Sequence, residues 1–179
     1  MVVRGIVAAM KQENLLDALL VTASPPVRAL LEQPPLAGAW VEGSLLDAFT
    51  QEFTQRFGEE KHRQIQKRAI AQGPMLIIRP LVEAAFRVTG TSPNTLLERF
   101  HRISSASVRG TSYAYTRTGP TSGILTAVVD GFPPPTMAVG MMAAVDFLFE
   151  LCGVVGHVAT PEFKRGADTT TLTLELSWR

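Results

Sequence analysis

From Thr170 to Trp178 the chain alternates without a break, with Leu172, Leu174, Leu176 and Trp178 in one set and Thr171, Thr173, Glu175 and Ser177 in the other. A period of two sends these sets to opposite faces of a strand, one apolar and one wetted. Such a strand belongs in an antiparallel sheet with a single covered face. It cannot stand alone, so the rest of the chain must supply both partner strands and a layer over the leucines. Tyr113 and Tyr115, continued by Arg117, alternate with Ala114 and Thr116 and read as a first strand. Gly119-Pro120 and Gly123 mark a turn, and Ile124 to Val129 returns as a second strand. Pro133-Pro134-Pro135 interrupts regular structure. Beyond it, Met141, Met142, Val145, Leu148, Phe149 and Cys152 recur at steps of three and four, the spacing of a strongly apolar helix. Val154 to Ala159 reads as a further short strand.

Upstream the period is helical. Val2 to Met10 is an apolar run broken by Gly5 that fits either a strand or the start of a helix. Asn14 to Leu20 reads as a helix ending before Ser24-Pro25-Pro26, and Val27 to Leu31 as a short helical turn closed by Pro34-Pro35. Ser44, with Asp47 three residues on, is expected to cap a helix carrying Leu45, Leu46, Phe49 and Phe53 on its inner face. Glu59 to Ala71 is a charged helix with a narrow edge of Ile65 and Ala69, stopped at Gly73-Pro74. Met75 to Ile78 and Leu81 to Val88 read as helical segments kinked at Pro80. Ser92 as cap and Pro93 at the first position then open a helix with Leu96, Leu97, Phe100 and Ile103 on one face. The expected fold is one α+β domain over residues 1–179, its mainly helical N-terminal half packed with a C-terminal antiparallel sheet and a crossing helix.

Composition restricts the function classes. Seventeen Lys and Arg balance sixteen Asp and Glu for a net charge of +1, so no overall field favours nucleic acid. The single cysteine, Cys152, cannot form an intrachain disulfide, and together with the lack of a signal-like N-terminus it fits a cytoplasmic protein. The apolar stretch from Met137 to Ala159 contains Asp146 and Glu150, whose burial in lipid is costly, so no membrane span is expected.

No motif carries chemistry. The histidines, His62, His101 and His157, have no metal-ligand spacing between them or with Cys152. His62 sits in a charged helix and reads as a surface residue; His101 follows Phe100 on a half-buried helix; His157, among small and apolar residues, is a candidate to line a cavity. Asp146 and Glu150 share a helical face opposite the apolar stripe and read as solvated. Nucleophile elbows, P-loops and dinucleotide fingerprints are absent. The cluster Lys61, Arg63, Lys67 and Arg68 is interleaved with Glu59 and Glu60 as on a soluble helix face. Arg99, Arg102, Arg109 and Arg117 approach the helix-to-sheet junction, where they suit an anion. The methionines near Phe147 and Phe149 suit a core first, and otherwise an adaptable groove or a dimer face.

The stretch Tyr113-Ala-Tyr-Thr-Arg-Thr-Gly-Pro, with Gly131-Phe-Pro-Pro, the apolar helix and the closing Leu174-Glu-Leu-Ser-Trp178, resembles a family of about this length present as many paralogues in myxobacteria. That family supplies no catalytic residues to carry over. The order of helices, hairpin, crossing helix and final strands is also similar to the superfamily of vinyl-reductase-like, haem–nitric-oxide-binding and vesicle-tethering domains. This resemblance implies binding of small molecules, haem or acyl groups, or a dimeric assembly role. The chain departs from the haem and metal versions, since Cys152 is alone and no histidine stands out as an axial ligand; haem, metal and nucleotide are not supported by the sequence, and the cofactor stays open.

The expected function is a non-enzymatic regulatory or sensory domain that binds a small hydrophobic or anionic ligand and a protein partner. Its ligand or interface residues are expected to be Arg102, Arg109, Tyr113, Tyr115, Met141, Met142, Val145, Phe149 and His157. A homodimeric interaction module is the alternative, followed by an enzyme whose site is assembled from distant histidines and carboxylates.

Overall fold

The computed structural model describes residues 2–36, 39–72, 92–105 and 108–179, without the side chains of Val2 and Ile103. The described residues form helices α1 (Val2–Gln12), α2 (Leu16–Thr22), α3 (Pro25–Glu32), α4 (Gly43–Phe57), α5 (Glu59–Gln72), α6 (Pro93–Leu97), α7 (Phe100–Ser105) and α8 (Met137–Leu151). The strands are β1 (Thr111–Gly119), β2 (Ser122–Asp130), β3 (Gly156–Val158), β4 (Glu162–Arg165) and β5 (Thr169–Trp178). Helices lead and an antiparallel sheet with a crossing helix follows, as the change of period requires. The helical segments expected at Met75–Ile78 and Leu81–Val88, with the stop at Gly73-Pro74, lie outside the described residues.

Two compact units divide the chain, the first spanning residues 1–84 with 139–144 and the second 85–138 with 145–179. In the first, the apolar run at the N-terminus is a helix, and Val3, Ile6, Val7, Ala9 and Met10 enter a core with Leu19, Val27, Leu31, Phe49, Phe53, Ile65 and Ala69. Gly5 lets α1 approach α5 closely, since a Cβ there would stand 2.8 Å from the Ala69 carbonyl oxygen. The gap among Val3, Ile6, Leu30, Leu31, Leu46 and Phe49 is too tight for water. α3 starts with Pro25 in its first turn, where a missing N–H costs nothing. The cap expected at Ser44 is displaced: α4 begins at Gly43, with Glu42 in the capping position and no side-chain bond to the helix end. Ser92 does precede the first turn of α6, also without a side-chain cap bond.

In the second unit the strand order is β1-β2-β5-β3, with β4 also paired to β5. β5 is thus central, opposite β2 over its whole length from Ser122↔Ser177 to Asp130↔Thr169. Its Leu172, Leu174, Leu176 and Trp178 are buried together with Leu125 and Ala127 of β2. β3 and β4 follow one edge of β5 in turn. Between Val158↔Leu176 and Glu162↔Thr173, the three residues 159–161 face the two residues 174–175. One extra residue on an edge strand is a β-bulge, here holding Pro161. β4 is exposed at every position, so no alternation announces it.

Candidate functional site

Each expected site residue has a definite place. Tyr113 and Tyr115 lie on the covered face of β1. The Tyr113 ring meets Phe100 of α7 edge-on at 5.1 Å, and burial raises its phenol pKa. The Tyr113 amide donates to His101 Nδ1 at 3.3 Å, so His101 occupies a backbone donor on the sheet's outer edge. The Tyr115 hydroxyl donates to Asn94 Oδ1 at 2.5 Å, and Asn94 Nδ2 donates to the Pro120 carbonyl at 3.1 Å. Asn94, buried on α6, therefore ties strand and hairpin turn to one side chain. Arg102 on α7 and Arg109 before β1 are both exposed.

The α8 residues are buried, with Val145 fully enclosed and Met141, Met142 and Phe149 below a tenth exposed. Met142 belongs to the first unit with Arg63, whose Nη1 is 3.8 Å from its sulfur. Phe149 belongs to the second unit, where its ring lies 5.8 Å from that of Trp178. Gly156 allows this packing: a Cβ there would meet the Phe149 ring at 1.9 Å. His157, the next residue, points to the opposite sheet face and lines an open groove of about 340 Å³ with Thr118, Ser122, Ile124, Glu175 and Ser177. The sheet thus brings Tyr113 and Tyr115 to the face that Phe149 covers and sends His157 to the other.

His62 corrects the sequence reading most sharply. It is fully buried on α5 rather than at the surface. Gln66 Nε2 stands 3.1 Å from its Nε2 and Thr54 Oγ1 stands 2.8 Å from its Nδ1. With the Gln66 amide donating to Nε2, the ring proton sits on Nδ1 and is donated to Thr54, so the neutral imidazole is satisfied on both sides. Phe49 meets the ring edge-on and Phe53 packs on it at 5.1 Å. Burial lowers the imidazole pKa to about 4. A signal existed: His62, Ile65 and Ala69 fall at i, i+3 and i+7, placing the histidine on the buried stripe. Cys152, at the C-terminal cap of α8, is held as a thiol, its pKa raised to about 11 by burial. Asp146 is half-buried and Glu150 exposed. Among the described residues no three His, Cys, Asp or Glu side chains converge on a metal position, and no helix is long and apolar enough to cross a membrane.

No protein-family description matches the sequence, and no curated protein does. Solved structures match over nearly the whole chain. The oxygen complex of an oxygen-binding H-NOX domain related to soluble guanylate cyclases superposes with a TM-score of 0.66 at 8% identity, covering 99% of this chain and 93% of that one. An Fe(II) unliganded H-NOX mutant from K. algicida gives 0.66 at 7% identity, covering 99% and 95%. An H-NOX structure used to probe the function of haem distortion gives 0.67 at 7%, covering 99% and 93%. The fold is that of an H-NOX domain. At such identities the likeness reaches the fold and stops there.

The sequence-based dismissal of haem needs correction, because the matched structures include ones solved to study haem distortion and haem redox potential. Absence of a recognisable motif is therefore no ground for excluding it. The chain's histidines, cysteine and tyrosines are all described, so axial ligation can be tested on them. His62 does not fit, since both ring nitrogens are engaged and two phenylalanines wall it in. Burial raises the pKa of the Cys152 thiol and of the Tyr113 phenol. His101 is held through Nδ1 at the Tyr113 amide, which leaves Nε2 as its nitrogen for a ligand, and His157 faces the open groove.

Proposed function

We propose that this chain is a non-enzymatic sensory domain that binds a small molecule and passes its bound state to a protein partner. The observation that carries this reading is the near-complete superposition on H-NOX domains, at TM-scores of 0.62 to 0.67. A fold shared over 97% to 99% of the chain makes the ligand-binding role of those domains the natural starting point. The side chains point away from catalysis: His62 is neutral and occupied, and Cys152 is a protonated thiol. Val145 and Phe149, with Tyr113 and Tyr115 on the same covered face of the sheet, are the candidates to line the ligand site. Arg102 and Arg109 are the candidates to meet an anionic group. The myxobacterial paralogue family and a cytoplasmic location belong to the same proposal.

Native mass spectrometry with an absorption spectrum of protein expressed in haem-supplemented cells tests it. A stoichiometric small-molecule mass on the folded chain is the expected result, and a Soret band identifies that molecule as haem. Ligand-free protein that also gains no thermal stability from haem, fatty acids or small anions overturns the reading. A ligand-free dimer mass instead favours an assembly module.

A further inference from the structure

The outer face of the sheet carries an open groove that the proposed sensory role does not use. It lies beside irregularities in the pairing on both sides of the β2–β5 pair. On one side the β1 register shifts between Arg117 and Gly119; on the other the β-bulge begins at Ala159. Bulges bend and twist the strand that contains them, so an otherwise flat face becomes a trough of about 340 Å³. Ser122 stands opposite Ser177, which stands opposite His157, and Ile124 stands opposite Glu175. One row across three strands thus holds two hydroxyls and an imidazole; Thr118 adds a third hydroxyl, which donates to Ser122 Oγ at 3.0 Å, and Ile124 forms an apolar floor.

Charge narrows the ligand class. Glu175 supplies the carboxylate of the lining, and neither Lys nor Arg is among the lining residues. Glu175 is exposed on its strand, so its carboxylate stays in contact with water and bears no burial cost. Hydroxyls donate and accept, whereas an ionised carboxylate only accepts. We propose that this groove binds a small hydroxylated ammonium compound of about the size of an amino sugar. Glu175 takes the ammonium, and Thr118, Ser122, Ser177 and His157 read the hydroxyls. Anions are repelled by Glu175, and among the described residues no Lys or Arg lines the groove.

Matched probes test the assignment by proton–nitrogen NMR titration of the full chain. Glucosamine is expected to shift the Ser122, Ile124 and Ser177 amides and the His157 ring signals saturably. Glucose, lacking the charge, is expected to bind about tenfold more weakly, the loss of one charge-assisted hydrogen bond, and glucuronate not at all. Glu175→Gln should abolish the preference for glucosamine over glucose while leaving signals far from the groove in place. No saturable shift with glucosamine, binding of glucuronate at equal strength, or an unchanged preference in Glu175→Gln would each overturn it. The groove faces away from Phe149 and Trp178, so either site can fail its test while the other stands.

Discussion

His62 couples the fold to pH through one proton. The folded-state pKa of about 4 lies below the ordinary 6.5, so the unfolded chain binds the proton more readily. Stability is therefore full above about pH 6.5 and falls as pH drops toward 4, by about 3 kcal/mol for this group once it is fully titrated. Burial sets the direction, because protonation would place a charge on an imidazole enclosed in the core. Urea unfolding of the native chain and of His62→Gln at pH 7, 5.5 and 4 checks this. The difference between the two should shrink toward acid; a constant difference contradicts the assignment. Thr54→Val, which leaves Nδ1 without its partner, should cost about 1–3 kcal/mol at pH 7, measured the same way.

Elements are held by close approaches that a single methyl group disturbs. In α1, the Cβ of Gly5→Ala would press on the α5 backbone at Ala69, which cannot swing aside as a side chain would. A loss of about 1–3 kcal/mol is expected, read as a lower thermal midpoint. In the sheet, Tyr115→Phe removes the hydroxyl that binds Asn94 and leaves the buried amide oxygen short of a donor. It should cost about 1–2 kcal/mol, with faster amide exchange in the β1–β2 turn because Asn94 also holds Pro120. What the sequence made legible follows the same logic. β5 announced itself because one face is buried and one wet along most of its length. β4 did not, because all four of its side chains are exposed and it forms only as an extension of β5's edge. His62 was obscured by its charged neighbours, since its burial depends on Phe49, Phe53 and Thr54 from another helix. The Asn94 tie and the Gly156–Phe149 contact join residues distant in sequence or in different elements, and no local period encodes either.

At the scale of the whole molecule, local periodicity was enough to order helices before sheet, but not to assign the sheet's two faces to two different chemistries. That assignment turns on the alternation at Gly156 and His157, where one residue meets Phe149 and the next opens onto the groove. It also rests on a strand order in which the middle member comes after all the others in sequence. On a ribosome, β1 and β2 can pair as a hairpin as soon as they emerge, whereas β3 and β4 wait for the strand both require. Until residues 169–178 are made, β2 presents an open edge, and Leu125 and Ala127 lack their β5 neighbours Leu174 and Leu172. A chain stopped at Asp168 should therefore lose the strand signal of circular dichroism beyond what one hairpin supplies, and should bind chaperones as a stalled nascent chain. Completion of this sheet waits on β5, the strand that follows all its partners in sequence.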